Sequence, residues 1–413
     1  FLKGGVKMVL SYTQLAPLLT ELYDEYTGRK TIGTVDFATF QQTFKMAVSR
    51  EDDTLYNLIP TVIAKNVFSM RPYSRKLKGM IWDEQRYGNY IRKITPIINA
   101  IDITNDEWNI STELAKEANT QDWSGISKPD RQDVLVTFSS GGVTFARKVT
   151  YFRSQLNAAF DSQAQVESFF SAKLVEINNI YEIDLENICR AQLANLIIVL
   201  DDAGSAKPTT GNPCRKEQVF HALTEYNAAT GLAMTAQSIM NPQDFREFMI
   251  WLAAEIETLK DNMSNHTTYY HANFTGKNVN RHTDDRHMRV YMISKFANYF
   301  SKNTSQIFNP EKITLGDFEK IQFWQNMGTP MQVKGNGKVP NVDGQTDLLI
   351  TGKTVDNVIG IISDVETFGV VPVDQHSTSE PINARWEYRN VWNHYTFKTP
   401  VDFTENAVLI KLD

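Results

Sequence analysis

The sequence predicts an α+β protein built around one exceptionally long helix. Apolar residues recur at helical spacing from Val166 to Leu196, and Ser162 with Gln165 forms a capping box before them. The pattern runs on to Gly204, so the helix would cover roughly forty residues and measure about 55 Å at 1.5 Å per residue. Short apolar strand patterns follow late in the chain. This combination indicates a rigid rod with mixed helical and strand structure beside it.

The core is predicted to draw on this helix and on the strand pattern at 384–397. Within 384–397, Trp386, Tyr388 and Trp392 share one strand parity, whereas Arg385, Glu387 and Arg389 share the other, which predicts one packed face and one charged face. The segment 406–412 follows as a terminal buried strand. The residues predicted to form the core are Phe170, Leu174, Ile177, Trp386, Tyr388 and Trp392.

Composition limits the classes of function. A chain of 413 residues with 42% apolar residues can bury a sizeable core and divide into two or three lobes. A net charge of −6 gives no electrostatic reason to expect tight nucleic-acid binding. The two cysteines, Cys189 and Cys214, form no C-x-x-C motif and favour synthesis in a reducing compartment. The longest apolar run, 196–200, is far below the roughly 18 residues of a membrane span.

Turn signals and helical patterns suggest how the chain is divided. Residues 9–50 are predicted to form a helical N-terminal arm, and the Pro- and Gly-containing segment 201–214 is predicted to end the first lobe. Beyond it, 215–262 is predicted to be helical, with a helix that opens on Asn241 and has Pro242 at its first position. The apolar pattern at 287–301 fits either a strand or a helix.

Two limbs of opposite charge lie between 71 and 133. Basic residues dominate 71–93, and eight acidic residues face three basic ones in 102–133. Such limbs are either two solvated surfaces or a projecting hairpin whose charges pair with each other or with neighbouring subunits. On the second interpretation, the contacts to neighbours are predicted to include Arg75, Lys76, Lys78, Arg86, Arg92 and Lys93.

No motif indicates catalysis. The cluster His266, His271, His282 and His287 has spacings that match no standard zinc pattern, so an exposed polar loop is favoured over a metal site. The segment 351–354 resembles the end of a P-loop, but Asp347 stands where that motif needs glycine. The segment 335–338 is predicted to be a turn. The sequence therefore predicts a protein that is not an enzyme and holds no cofactor.

The order of these parts resembles that of tailed-phage major capsid proteins of the Hong Kong ninety-seven type, and especially those of short-tailed phages of the phi twenty-nine or crAss-like type. Three segments carry the resemblance: 143–182 leading into the long helix, 359–374 as late strands, and 388–410 as the closing strands. The order is an N-terminal arm, a charged hairpin, a spine helix, a mixed lobe and a return of the chain.

The resemblance implies a fold and an assembly. An arm at 1–50 would precede a peripheral domain formed by 51–75, by 136–205 with the spine helix, and by the C-terminal strands in 366–413. The extended loop would be 76–135, and the axial domain 206–365. The chain would form hexamers and pentamers of an icosahedral-type shell, located in the virion and assembled in the host bacterial cytoplasm. It would enclose double-stranded DNA without reading its sequence, meet portal and scaffold or minor capsid proteins, and contact no membrane.

Two other functions fit the same sequence. One is a different virion structural protein, such as a portal-type protein that forms a single closed ring. The other is a metal-dependent enzyme that uses the loop from His266 to His287.

Overall fold

The computed structural model describes residues 76–82, 90–96, 134–140, 142–155, 163–273, 280–299, 318–325, 330–340, 347–383 and 385–413. The predicted N-terminal arm, the segment 51–75 and most of both charged limbs lie outside these residues.

The described residues contain twelve strands and four α-helices. The strands are β1 (Tyr90–Pro96), β2 (Val134–Ser140), β3 (Val143–Phe152), β4 (Val219–His221), β5 (Met288–Ile293), β6 (Phe318–Ile321), β7 (Val333–Val339), β8 (Leu348–Val355), β9 (Val358–Asp364), β10 (Val371–Ser379), β11 (Tyr388–Lys398) and β12 (Ala407–Lys411). The α-helices are α1 (Gln163–Gly204), α2 (Ala222–Thr230), α3 (Pro242–Ser264) and α4 (Ser294–Tyr299). Short 3-10 turns cover Lys78–Met80, Lys216–Gln218, Ser238–Met240 and Asp285–His287. No helix in these residues is both long enough and apolar enough to cross a membrane.

The chain divides into two compact units. The first consists of Phe1–Gly88, Gly141–Cys189 and Val370–Thr399, and the second of Asn89–Ser140, Arg190–Gly369 and Pro400–Asp413. The long helix α1, which the sequence predicts, has 42 residues and contributes to both units. Its apolar side chains from Leu193 to Leu200 are almost fully buried, because this part carries apolar residues on every face.

The first unit is built on an antiparallel sheet with the strand order β10-β11-β3. β11 pairs with β3 from Tyr388 opposite Phe152 to Phe397 opposite Val143. Tyr181 of α1 packs against this sheet, with its ring centroid 5.0 Å from that of Tyr395 and 5.9 Å from that of Phe397. A strand near the end of the sequence therefore completes a core that an earlier strand and helix begin.

The predicted core face of this late strand is wrong. The buried apolar side chains of β11 are Val391, Tyr395 and Phe397, whereas Tyr388 and Trp392 are only partly buried and Trp386 is 63% exposed. The strand begins at Tyr388, and residues 385–387 belong to a turn. Within the strand itself, aromatic residues stand on both faces, and Tyr395 and Phe397 are the ones that are buried, so side-chain parity alone does not identify the packed face.

The second unit contains a five-stranded mixed sheet with the order β4-β12-β9-β5-β6. Every residue of β9 is buried, and four of the five residues of β12 are buried. β12 lies between β4, its parallel neighbour, and β9, its antiparallel neighbour, so 400–413 belongs to the second unit. The sequence instead groups all of 366–413 in one domain.

Three local sequence expectations meet different outcomes. α3 opens on Asn241 with Pro242 in its first turn, which confirms the predicted start. Residues 287–301 contain both a strand, β5, and a helix, α4. The predicted turn at 335–338 is wrong, since this segment lies inside β7, which shifts register at Gly335/Gly337. A Cβ at Gly337 would lie 2.9 Å from Cγ2 of Ile198, so glycine allows β7 to approach α1 closely.

Candidate functional site

One predicted contact residue, Lys93, lies in a cluster of carboxylates on its own chain. Its side chain leaves β1, which pairs with β2 and places Lys93 opposite Thr137. The Nζ atom lies 2.6 Å from Glu405, 2.8 Å from Glu366 and 3.2 Å from Asp402. The ammonium group therefore neutralises part of an acidic cluster within the second unit.

The electrostatic balance at Lys93 favours the charged form. Burial by itself would lower the pKa of Lys93, but the charges of Asp402 and Glu405 and the hydrogen bonds to Glu366 and Glu405 outweigh burial and raise it. The sequence predicts that Lys93 contacts a neighbouring subunit. The structure places its ammonium group among carboxylates of its own chain, and the contact to a neighbour stays a prediction. The acidic partners lie some three hundred residues further along the chain, as the separation of 312 between Lys93 and Glu405 shows, so spacing gives no sign of them.

The other predicted contact residues are not brought together in the described part of the chain. Lys76 is exposed, and Lys78 begins a short 3-10 turn. Arg92 lies on β1, but its side chain is outside the described residues, as are the whole of Arg75 and Arg86. Their assignment to subunit contacts stays a prediction.

Of the three core residues predicted on the long helix, the side chain of one is described. Ile177 is buried, with 3% of its surface exposed. Phe170 and Leu174 lie on α1, but their side chains are outside the described residues.

The outer face of the β10-β11-β3 sheet is a connected polar surface. Thr150 donates a hydrogen bond to Asn390, and Asn390 and Trp392 both donate to the carboxylate of Glu380. These two hydrogen bonds lower the pKa of Glu380. His376 stacks on His394 across the strands with a centroid distance of 4.8 Å. The face is therefore polar and aromatic, whereas the opposite face packs on α1.

The histidines at 266–287 do not form one cluster. His266 and His282 stack at 4.7 Å between ring centroids, His287 is exposed, and His271 is buried with 1% of its surface exposed. The prediction of an exposed polar loop is therefore wrong for His271. Within the described residues, no group of three or more His, Cys, Asp and Glu side chains is placed to hold a metal ion.

A loop in the second unit is organised by Asp202, a residue for which the sequence analysis gave no role. Its carboxylate accepts hydrogen bonds from the backbone N–H and the hydroxyl of Thr209 and from the amide of Asn212, and Lys353 lies 3.2 Å away. Burial would raise the pKa of Asp202, but these hydrogen bonds and the Lys353 charge lower it. Lys353 is the lysine of the P-loop-like segment, and it pairs with Asp201 and Asp202.

No protein-family model matches the sequence, and no curated protein gives a match. Among solved structures, the chain is similar to one in the capsid of Staphylococcus phage Andhra, at 12% identity, over 80% of this chain and 82% of that chain, with a TM-score of 0.48. It is similar to a chain in the structure of the head fiber and inner core protein gp22 of native bacteriophage P68, at 12% identity, 82% and 85% coverage and a TM-score of 0.45. A third match is the capsid of cyanophage P-SCSP1u, at 11% identity, 83% and 89% coverage and a TM-score of 0.38. Because each identity is below 25% and each TM-score below 0.5, these similarities establish neither a family nor a function for this chain.

Proposed function

We propose that this protein is a phage major capsid protein that self-assembles into hexamers and pentamers of an icosahedral-type shell. The observation that carries the proposal is the return of the chain to β3. β11 pairs with β3 along its length, and the hydrogen-bonded residues Thr150 and Asn390 are 240 positions apart in sequence. A hairpin, a long helix, an intervening unit and returning strands follow one another in the order that the resemblance implies.

The parts of the subunit are assigned accordingly. Residues 51–75, 136–205 and 366–399 form the peripheral domain with the spine helix α1, and 206–365 forms the axial domain at the centre of each capsomer. Residues 76–135 form the extended loop, and 1–50 the N-terminal arm. The segment 400–413 joins the axial side of the chain, because β12 pairs with β4 and β9.

Assembly proceeds by repeated weak association. Each subunit is held at several places at once, so contacts of modest affinity combine through effective concentration. The residues proposed to bind neighbours are Arg75, directly before the loop, and Lys76, Lys78, Arg86, Arg92 and Lys93 within it. Lys93 also pairs inside its own subunit.

The shell encloses double-stranded DNA without binding a particular sequence. The net charge of −6 suits this role, since a chain with a net negative charge has no general attraction to DNA phosphates. Portal and scaffold or minor capsid proteins are the partners such a shell needs, and the virion is its location.

Sedimentation velocity of purified wild-type and Arg86→Glu/Arg92→Glu protein tests this proposal. Wild type should form shells or capsomers, and the double variant should stay unassembled, because charge reversal is repeated at every equivalent contact. Salt at about 1 M should partly restore assembly, since the Debye length falls to about 3 Å. Lys334→Glu, in the second unit, is the control. A wild-type monomer at every concentration and salt would contradict the proposal, and a single ring size without shells would favour a portal-type protein.

A further inference from the structure

The turn between β10 and β11 holds a tryptophan outward in a well-defined conformation. The side-chain oxygen of Asn383 accepts hydrogen bonds from the backbone N–H groups of Arg385 and Trp386, both at 3.1 Å. Asn383 also exchanges backbone hydrogen bonds around the turn, donating to Tyr388 at 2.9 Å and accepting from Glu387 at 2.8 Å. The turn is therefore fixed by local bonds at both ends.

The backbone of this turn is strained at Glu387. Its φ angle is +47°, a left-handed conformation that glycine or asparagine adopts more readily than glutamate. The carbonyl of Glu387 accepts a hydrogen bond from the backbone N–H of Arg153 at 2.9 Å, which holds this conformation. The positive φ and this hydrogen bond together fix the backbone at the end of the hairpin turn.

The side chains at the tip form a compact contact group. Trp386 is 63% exposed, and the guanidinium carbon of Arg385 lies 5.3 Å from the centroid of its ring. Tryptophan and arginine are the residues most enriched at the centres of protein interfaces. An exposed indole with a stacked arginine is therefore suited to bury against another protein surface.

The charges beside Trp386 are complementary to those of a second copy of the same turn. Arg385 and Glu387 carry opposite charges on the two sides of the tryptophan, and the side chain of Glu387 is 61% exposed. An acidic or a basic partner would satisfy one of these charges and repel the other. A second copy of the same turn satisfies both, because Arg385 of each copy meets Glu387 of the other.

We propose that the turn formed by Asn383 and residues 385–388 docks against the same turn of a second copy of this chain, with Trp386 packing on Trp386 around a symmetry axis. This inference rests on the proposed function, since it names one of the contacts through which the subunits assemble. Each such contact is small, and it gains strength from repetition around a closed assembly.

Charge inversion tests the pairing. Arg385→Glu and Glu387→Arg should each lower self-association in sedimentation velocity by about tenfold or more, because like charges then meet at every copy of the contact. The triple variant Arg153→Glu/Arg385→Glu/Glu387→Arg inverts every charge, including the partner of Glu387 inside the subunit at 3.7 Å. It should recover self-association to within about twofold of wild type. Tyr269→Ala, an exposed aromatic residue in the second unit, is the control, and thermal melting shows that each subunit is folded.

The outcomes separate this inference from the proposed function. If wild type forms shells and Arg385→Glu forms them equally well, the turn contact is wrong and the capsid proposal stands. If the single variants fail but the folded triple variant does not recover, Trp386 meets a different surface and the self-pairing is wrong. Wild type could instead form small oligomers and no shells. If the single variants then weaken these oligomers and the triple variant restores them, the contact is supported and the capsid proposal is contradicted. A wild-type monomer under all conditions would overturn both.

Discussion

The guanidinium group of Arg147 on β3 binds the carboxylate of Asp184 on α1 through two hydrogen bonds. Nε lies 2.6 Å from Oδ2, and an Nη atom lies 2.5 Å from Oδ1. The Asp184 side chain is 8% exposed, so its charge is compensated largely by this arginine. The pair ties the strand that precedes the long helix to the helix itself.

Arg147→Met should destabilise the subunit by about 2–3 kcal/mol, because it leaves the carboxylate of Asp184 buried without its cationic partner. Urea unfolding of the unassembled subunit measures this difference. Lys148→Met is the matched control, since Lys148 is exposed on the other face of the same strand. Equal stability of the Arg147 variant and wild type would show that the pair does not hold β3 on α1.

Lys93→Gln should also destabilise the unassembled subunit, by about 2 kcal/mol, since Glu366, Asp402 and Glu405 would then repel one another. Arg281, 3.8 Å from Glu405, would be the cation left beside them. Lys76→Gln is the control, as Lys76 is an exposed lysine of the same basic limb. If both variants melt like wild type while assembly fails only in the Lys93 variant, Lys93 serves a neighbour and the internal cluster is wrong.

Asp202→Asn should lower the free energy of unfolding at pH 7 by about 1–2 kcal/mol, since the carboxylate accepts several hydrogen bonds. A carboxyl group with a lowered pKa contributes stability above its unfolded pKa of about 4, and this stability is lost as the pH falls through the folded value. The gap between wild type and the variant in urea unfolding should therefore close in acid. Asp347→Asn, which removes an exposed ion pair with Lys338, is the control. A gap that is the same at pH 7 and pH 3 would contradict this role of the charge.

The two faces of β11 should respond differently to truncation. Phe397→Ala removes a side chain that is 2% exposed and packs on Tyr181, so it should cost about 3–4 kcal/mol. Trp386→Ala should change the stability of the unassembled subunit by less than about 0.5 kcal/mol, because that ring is largely exposed. Thermal melting of both variants compares the two stability costs. If Trp386→Ala cost more stability than Phe397→Ala, the packed face would be the one that sequence parity predicts.

Part of this fold could be predicted because its signal is local. The α1 helix follows from apolar residues at helical spacing, and the start of α3 follows from Asn241 and Pro242, which lie next to each other. β9 and β12 are continuous apolar runs, as strands buried on both faces are. The sequence signal for each of these elements lies within the segment that forms it.

The remaining features depend on distant residues or on the backbone. Lys93 meets acids that lie far along the chain, and Arg147 meets Asp184 across a strand and a helix. β11 carries aromatic residues on both faces, so the alternation of side chains does not reveal that Tyr395 and Phe397 face the core. Gly337 stands within a strand because of its approach to Ile198, so a segment that resembles a turn in sequence is extended in the structure.

The central claim is that copies of this chain build a closed shell. Electron microscopy of the purified protein after sedimentation tests it most directly, with the Phe397→Ala subunit as a control that should not assemble. The account predicts closed particles, or capsomer rings with sixfold and fivefold symmetry. Compact monomers at every protein and salt concentration, from a preparation whose melting shows a folded protein, would contradict it.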